Sequence, residues 1–217
     1  MRSERITNPE VVLDNAYLME IEANCRMFLV AWNGLQWRSA KVPRSGPDRE
    51  AQAMTRLWAY ELWGDAYAMV EAARRLARVL WEVEGCEAFR LRRKLPLNAV
   101  LRPSNLTPVR DALEHIETRI PGFVKDHTDG DLSGWGVTND PGDPPPAPGM
   151  LHFRYLNVST GRCVVEDGLG VHHVNLRDLA EAVRGLCMAL PDDTGGTWTF
   201  LKLPPETPSI DSEKDGR

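Results

Sequence analysis

Between Met54 and Val83 apolar side chains return every three or four residues, through Trp58, Leu62, Ala66, Met69, Ala73, Leu76 and Leu80, until Gly85 ends the run. A period near 3.6 held for that long is satisfied by an α-helix with one face against a core. Opening at Pro47 or Asp48, at 1.5 Å rise per residue, such a helix is a rod of roughly 45 Å or more. The rest of the chain has to be built along it. Leu57, Trp63, Tyr67, Val70, Val79 and Trp81 widen the apolar stripe beyond one seam. The helix therefore either forms the centre of the domain or gives part of its surface to a dimer contact, and the two are compatible.

A second long helix precedes it. Leu18, Ile21, Cys25, Phe28, Trp32 and Leu35 are spaced by three and four. Asn8 is placed to cap this helix and Pro9 to open it, where a missing N–H costs nothing. It ends near Trp37 to Lys41. A third helix is expected from Thr107 as cap and Pro108 as first residue, burying Val109, Ala112, Leu113, Ile116 and Ile120 before Pro121-Gly122 stops it. From Phe123 to Gly149 no period survives, and the proline-rich run from Pro141 to Gly149 is expected to be an exposed loop. Asp126 to Asp131 lacks the alternating ligands and closing glutamate of a calcium loop.

Alternating segments Leu151–Asn157 and Arg162–Glu166, joined by Val158-Ser159-Thr160-Gly161, predict a hairpin, with Gly170–Val174 as a further strand. A hairpin alone is marginal in water and must lean on the helices. Asn175 then caps a helix whose buried face is Leu176, Leu179, Ala180, Val183, Leu186, Cys187 and Leu190. Trp198–Leu201 is a last strand or a packing tail. The fold class expected is mainly α (α+β): two long N-terminal helices in a bundle, plus a small antiparallel hairpin or meander before a C-terminal helix. The divisions are 1–122 (bundle), 123–150 (loop), 151–202 (hairpin and helix packed on the bundle) and 203–217 (disordered tail), together one structural domain.

A chain of 217 residues can bury one good core without disulfides or a metal. The cysteines Cys25, Cys86, Cys163 and Cys187 form no C-x-x-C pair, which fits reduced thiols in the cytoplasm. The first residues carry no apolar signal segment, and no apolar run is long enough to cross a bilayer. Charge is uneven. Residues up to Gly122 hold 18 basic and 16 acidic side chains, and the remainder 8 and 15. The front part tolerates a polyanion and the back part repels one.

Arg110-Asp111-Ala112-Leu113-Glu114-His115 sets an arginine and a histidine five positions apart on the third helix. Following two long helices, this resembles the HEPN family of helical bundles, which carry an R-x(4–6)-H motif on a late helix. The resemblance covers about the first 120 residues. It implies a metal-independent endoribonuclease acting as a homodimer, with the two motifs lining one cleft, and it places the catalytic positions on Arg110 and His115, with Asp111 at the polar position after the arginine. Chemically, an imidazole exchanges protons near neutral pH, as activation of a ribose 2′-OH requires. A guanidinium offers fixed, charged donors to a phosphate whose charge grows in the transition state. The glutamates Glu114 and Glu117 around His115 work against RNA. At 3.6 residues per turn, Arg110 and His115 would be roughly 140° apart, so a site using both must wrap the helix or be completed by a second subunit.

Arg90, Arg92, Arg93 and Lys94, beside Phe89, form a basic run that can meet phosphates or simply face solvent. His172 and His173, adjacent on a strand, point to opposite faces and do not chelate one ion. No metal and no cofactor are expected; serine and cysteine nucleophile motifs and phosphate-cradling glycine loops are absent. A non-catalytic reading stays open beside the nuclease: a scaffold or antitoxin-like partner that docks, or self-associates, through its tryptophan-rich helices.

Overall fold

The structure, a computed structural model, describes residues 9–42, 49–84, 86–115, 136–142, 154–166 and 170–190. Two long helices, α1 (Pro9–Ser39) and α2 (Arg49–Ala77), lie antiparallel and make the most extensive contact between elements. Short α3 (Cys86–Lys94) and α4 (Pro103–Glu114) follow. Next comes a sheet of β1 (Gly136–Thr138), β2 (Arg154–Asn157), β3 (Arg162–Glu166) and β4 (Val171–Asn175), and then α5 (Leu176–Ala189). The molecule is thus mainly helical with a small sheet before a C-terminal helix, as the periodicities require.

One core joins these layers. Ile21, Cys25, Phe28 and Leu35 of α1 are fully buried with Leu62, Met69 and Leu76 of α2, Leu106 of α4, Leu156 and Cys163 of the sheet, and Leu176, Leu179 and Leu186 of α5. Burial raises the Cys163 thiol to about 12. Cys25 is pushed up by the neighbouring Cys187 thiol of α5 and by burial. In the last turn of α1, Arg38 donates to Glu61 (2.6 Å) and Asp65 (2.7 Å) of α2. Gly34 makes this possible. A Cβ there would stand 2.6 Å from the Arg38 Nη1 and 2.8 Å from an Asp65 oxygen.

The sheet runs β1-β2-β3-β4, with β1 parallel to β2 and the other pairs antiparallel. The expected hairpin is β2–β3, with Leu156 opposite Cys163. Its turn is held by Asn157, whose Oδ1 accepts from the backbone N–H groups of Ser159 and Thr160, and by Gly161 at φ +75. Asn175 caps α5, its Oδ1 accepting from the N–H of Arg177 (2.9 Å) and Asp178 (3.3 Å).

Three differences from expectation have physical causes. β1 lies inside the segment expected to be featureless; three residues carry too little alternation to register, and their partners on β2 are distant in sequence. α2 does not end as a plain α-helix but widens into a π-helical turn over Arg78–Glu82, closed by the Val83 N–H donating to the Arg78 carbonyl five residues back. Finally, α4 starts one turn early, with Arg102 as its cap residue and Pro103 at its first position, so Thr107 and Pro108 lie inside it. Two prolines compete for the opening position, and the earlier one takes it. Pro108 then leaves the carbonyl one turn before it without a helical donor. The expected helix residues Ile116 and Ile120, the Asp126–Asp131 turn, the proline loop from residue 143, the Trp198–Leu201 segment and the tail lie outside the described residues.

Candidate functional site

With Leu106, Val109, Ala112 and Leu113 turned into the core, the geometry of α4 brings Arg110, Asp111 and Glu114 to its half-buried edge. Arg110 reaches across to α2: its Nε donates to Glu71 Oε2 at 3.3 Å. Its Nη1 donates to Asp111 Oδ1 at 3.2 Å and pairs with Glu114. Nη2 makes no hydrogen bond among the described residues. Burial disfavours the charge on Arg110, but these carboxylates outweigh it and its pKa moves up. Burial likewise tends to raise Glu71, yet hydrogen bonds from Arg75 and Arg110 prevail and hold its carboxyl below the ordinary value.

This pair sits on the wall of a cleft of about 780 Å³ between the end of α2 and α4, with Glu20 of α1 contributing. Arg74, Arg75 and Arg78 of α2 and its π-turn line the same cleft, facing Glu71, Glu82 and Asp111. Arg74 grips Glu82 with contacts of 3.0 to 3.3 Å, bridging the π-turn. Arg75 donates to Glu71 at 2.9 Å. Arg78 is exposed and makes no ion pair among the described residues. π-Turns recur at functional sites because they shift side chains out of the α-helical register, and here the turn carries Arg78 and Glu82.

His115 does not line the cleft. It occupies the C-cap of α4 with non-helical dihedrals (φ −104, ψ 19), exposed, its Nε2 4.0 Å from Glu114 Oε2. That oxygen also pairs with Arg110. The expected separation of 140° assumed a helix continuing through His115. Because the helix stops at Glu114, the imidazole and the guanidinium meet one carboxylate. The end of the helix also sets the local field. Arg110 lies in the later half of α4 and His115 at its C-terminal end, where the helix dipole favours cations rather than a phosphate.

The basic run is divided by α3. Arg92 turns inward, its Nη2 donating to the carbonyls of Trp81 (3.3 Å) and Val83, which close the π-turn. Arg90 is half-buried, while Arg93 and Lys94 are exposed. Sequence reasoning missed Glu71, Arg74, Arg75 and Arg78. The one signal was three arginines within five positions of helix 2, which an ordinary solvated face also produces. On β4, His172 is half-buried and His173 exposed. Among the described residues no three His, Cys, Asp or Glu side chains group as metal ligands, and no helix is long and apolar enough to cross a membrane.

The chain matches no family model, no curated protein and no solved structure.

Proposed function

We propose that the protein is a HEPN-like RNA-acting protein, a metal-independent endoribonuclease of a toxin or defence type, working in the cytoplasm as a homodimer. The observation that supports this is the Glu114 carboxylate shared by Arg110 and His115, with Arg110 on the wall of a cleft lined by four arginines and four carboxylates. In this reading RNA lies along the cleft and the Nη2 edge of Arg110 takes a non-bridging phosphate oxygen. His115 accepts the proton of the attacking 2′-OH or returns one to the leaving 5′-oxygen. Asp111 and Glu71 hold the guanidinium in place. Glu114 orients the imidazole.

The test is cleavage of structured RNA in EDTA by the wild type, Arg110→Ala and His115→Ala. Loss of cleavage in both variants supports the reading. No cleavage by the wild type, or equal cleavage by all three, refutes it.

A second reading, a non-catalytic docking or self-associating protein, is favoured by a different observation. Trp37, Leu57 and Tyr60 are exposed by 57%, 65% and 70% on neighbouring faces of α1 and α2. Trp37 stacks edge-on with Trp58 at 6.0 Å under Lys41. This reading keeps association intact in Arg110→Ala and loses it in Tyr60→Glu.

A further inference from the structure

Arg74, Arg75 and Arg110 each meet a carboxylate in the cleft: Glu82, Glu71, and the group of Glu71, Asp111 and Glu114 respectively. Their charges are compensated, and their geometry is fixed by the same contacts. Arg78 differs. It begins the π-turn, lines the cleft, is exposed, and has no carboxylate partner among the described residues. The π-turn that carries it is braced from two sides, by the bidentate Arg74–Glu82 pair and by Arg92 on the Trp81 and Val83 carbonyls. A guanidinium without a paired carboxylate among the described residues, rooted on a braced turn, keeps its donors for a ligand, and phosphate oxygens match that fork in shape and sign.

We infer that Arg78 is the phosphate-contacting residue of the cleft: it holds a phosphate of the bound chain next to the one addressed by the Nη2 edge of Arg110. This rests on the proposed RNA function for the identity of the chain, and on the cleft alone for the phosphate. The exposed α3 cations Arg93 and Lys94 lie outside the cleft lining and serve as the comparison. Arg78 is exposed and pairs with no carboxylate among the described residues, so Arg78→Gln is expected to melt with the wild type.

The experiment measures binding of a mixed-sequence single-stranded RNA oligomer and of inorganic tripolyphosphate across a salt series. The full chain is used as wild type, Arg78→Gln, Arg78→Lys and Lys94→Gln. Arg78→Gln is expected to weaken RNA binding about tenfold and to lower the salt slope by about 0.7, the value of one phosphate contact on a single strand. Arg78→Lys keeps the slope and Lys94→Gln changes little. If the wild type ignores RNA yet binds tripolyphosphate, and Arg78→Gln loses it, the phosphate site stands and the RNA reading falls. If Arg78→Gln binds both probes like the wild type, or the wild type binds neither, the inference is overturned.

Discussion

Arg110 of α4 and Glu71 of α2, 39 positions apart in sequence, are joined at 3.3 Å. Glu71 also receives Arg75, so one carboxylate fixes the motif arginine and part of the α2 arginine row. The contact is structural and, under the proposed function, orienting. Both side chains are less than a third exposed, so removing one partner costs more than at a surface pair. Glu71→Ala is expected to lower stability by about 1 kcal/mol, read from urea unfolding midpoints at unchanged slope. A cost near zero would mean that Asp111 and Glu114 alone hold Arg110.

The pH dependence of that joint has a definite sign. Glu71 titrates lower in the folded protein than its ordinary value of 4.5, so its stabilising contribution is present above about 4.5 and disappears as pH falls through the folded value. Asp65 goes the other way. Burial raises it despite Arg38, so ionising it costs folding free energy as pH rises through its folded value. Removing its charge with Asp65→Asn is therefore expected to cost little at pH 7, where Arg38 keeps Glu61. Thermal melts of Glu71→Gln and Asp65→Asn between pH 3 and 7 check both signs: the Glu71→Gln deficit should shrink on acidification, and that of Asp65→Asn should not.

Gly161→Ala places a side chain at φ +75, with its Cβ 2.8 Å from Arg177 Cγ and 3.1 Å from the Arg177 backbone nitrogen. The loss is expected to be at least about 1–2 kcal/mol, measurable by chemical denaturation. Asn175→Ala, which leaves the Arg177 and Asp178 N–H groups uncapped, is expected to cost about 1 kcal/mol. If the glycine change proved neutral, the turn would have another conformation.

These two positions also mark how far the sequence could be read. Asn175 and the Leu176–Leu190 stripe announce α5 locally, because a cap and a 3.6 period are short-range properties. Gly161 announces the hairpin in the same way. β1 and the start of α4 were hidden, since a three-residue parallel strand exists only through its neighbour and two prolines offered equivalent openings. Arg110 and His115 were visible as a spacing. Glu114 as their shared carboxylate was not, because it depends on where the helix stops. Glu71 and Arg78 carry no local signal, because their placement in the cleft depends on α4 packing across α2.

Self-association is a separate consequence. Under the self-associating reading the contact uses the outer face of α2 around Tyr60, so light scattering should give twice the chain mass for the wild type and the monomer mass for Tyr60→Glu. A monomeric wild type at high concentration would remove the dimer from the proposal.

Under the proposed function, Arg110 and His115 act on an RNA phosphodiester through the neighbouring 2′-OH. The direct measurement is the chemistry of the product ends after digestion in EDTA. The expected products carry 2′,3′-cyclic phosphate and 5′-hydroxyl termini, formed by the wild type and lost in His115→Ala. Products with 3′-hydroxyl and 5′-phosphate ends, or RNA left intact by the wild type, would contradict it.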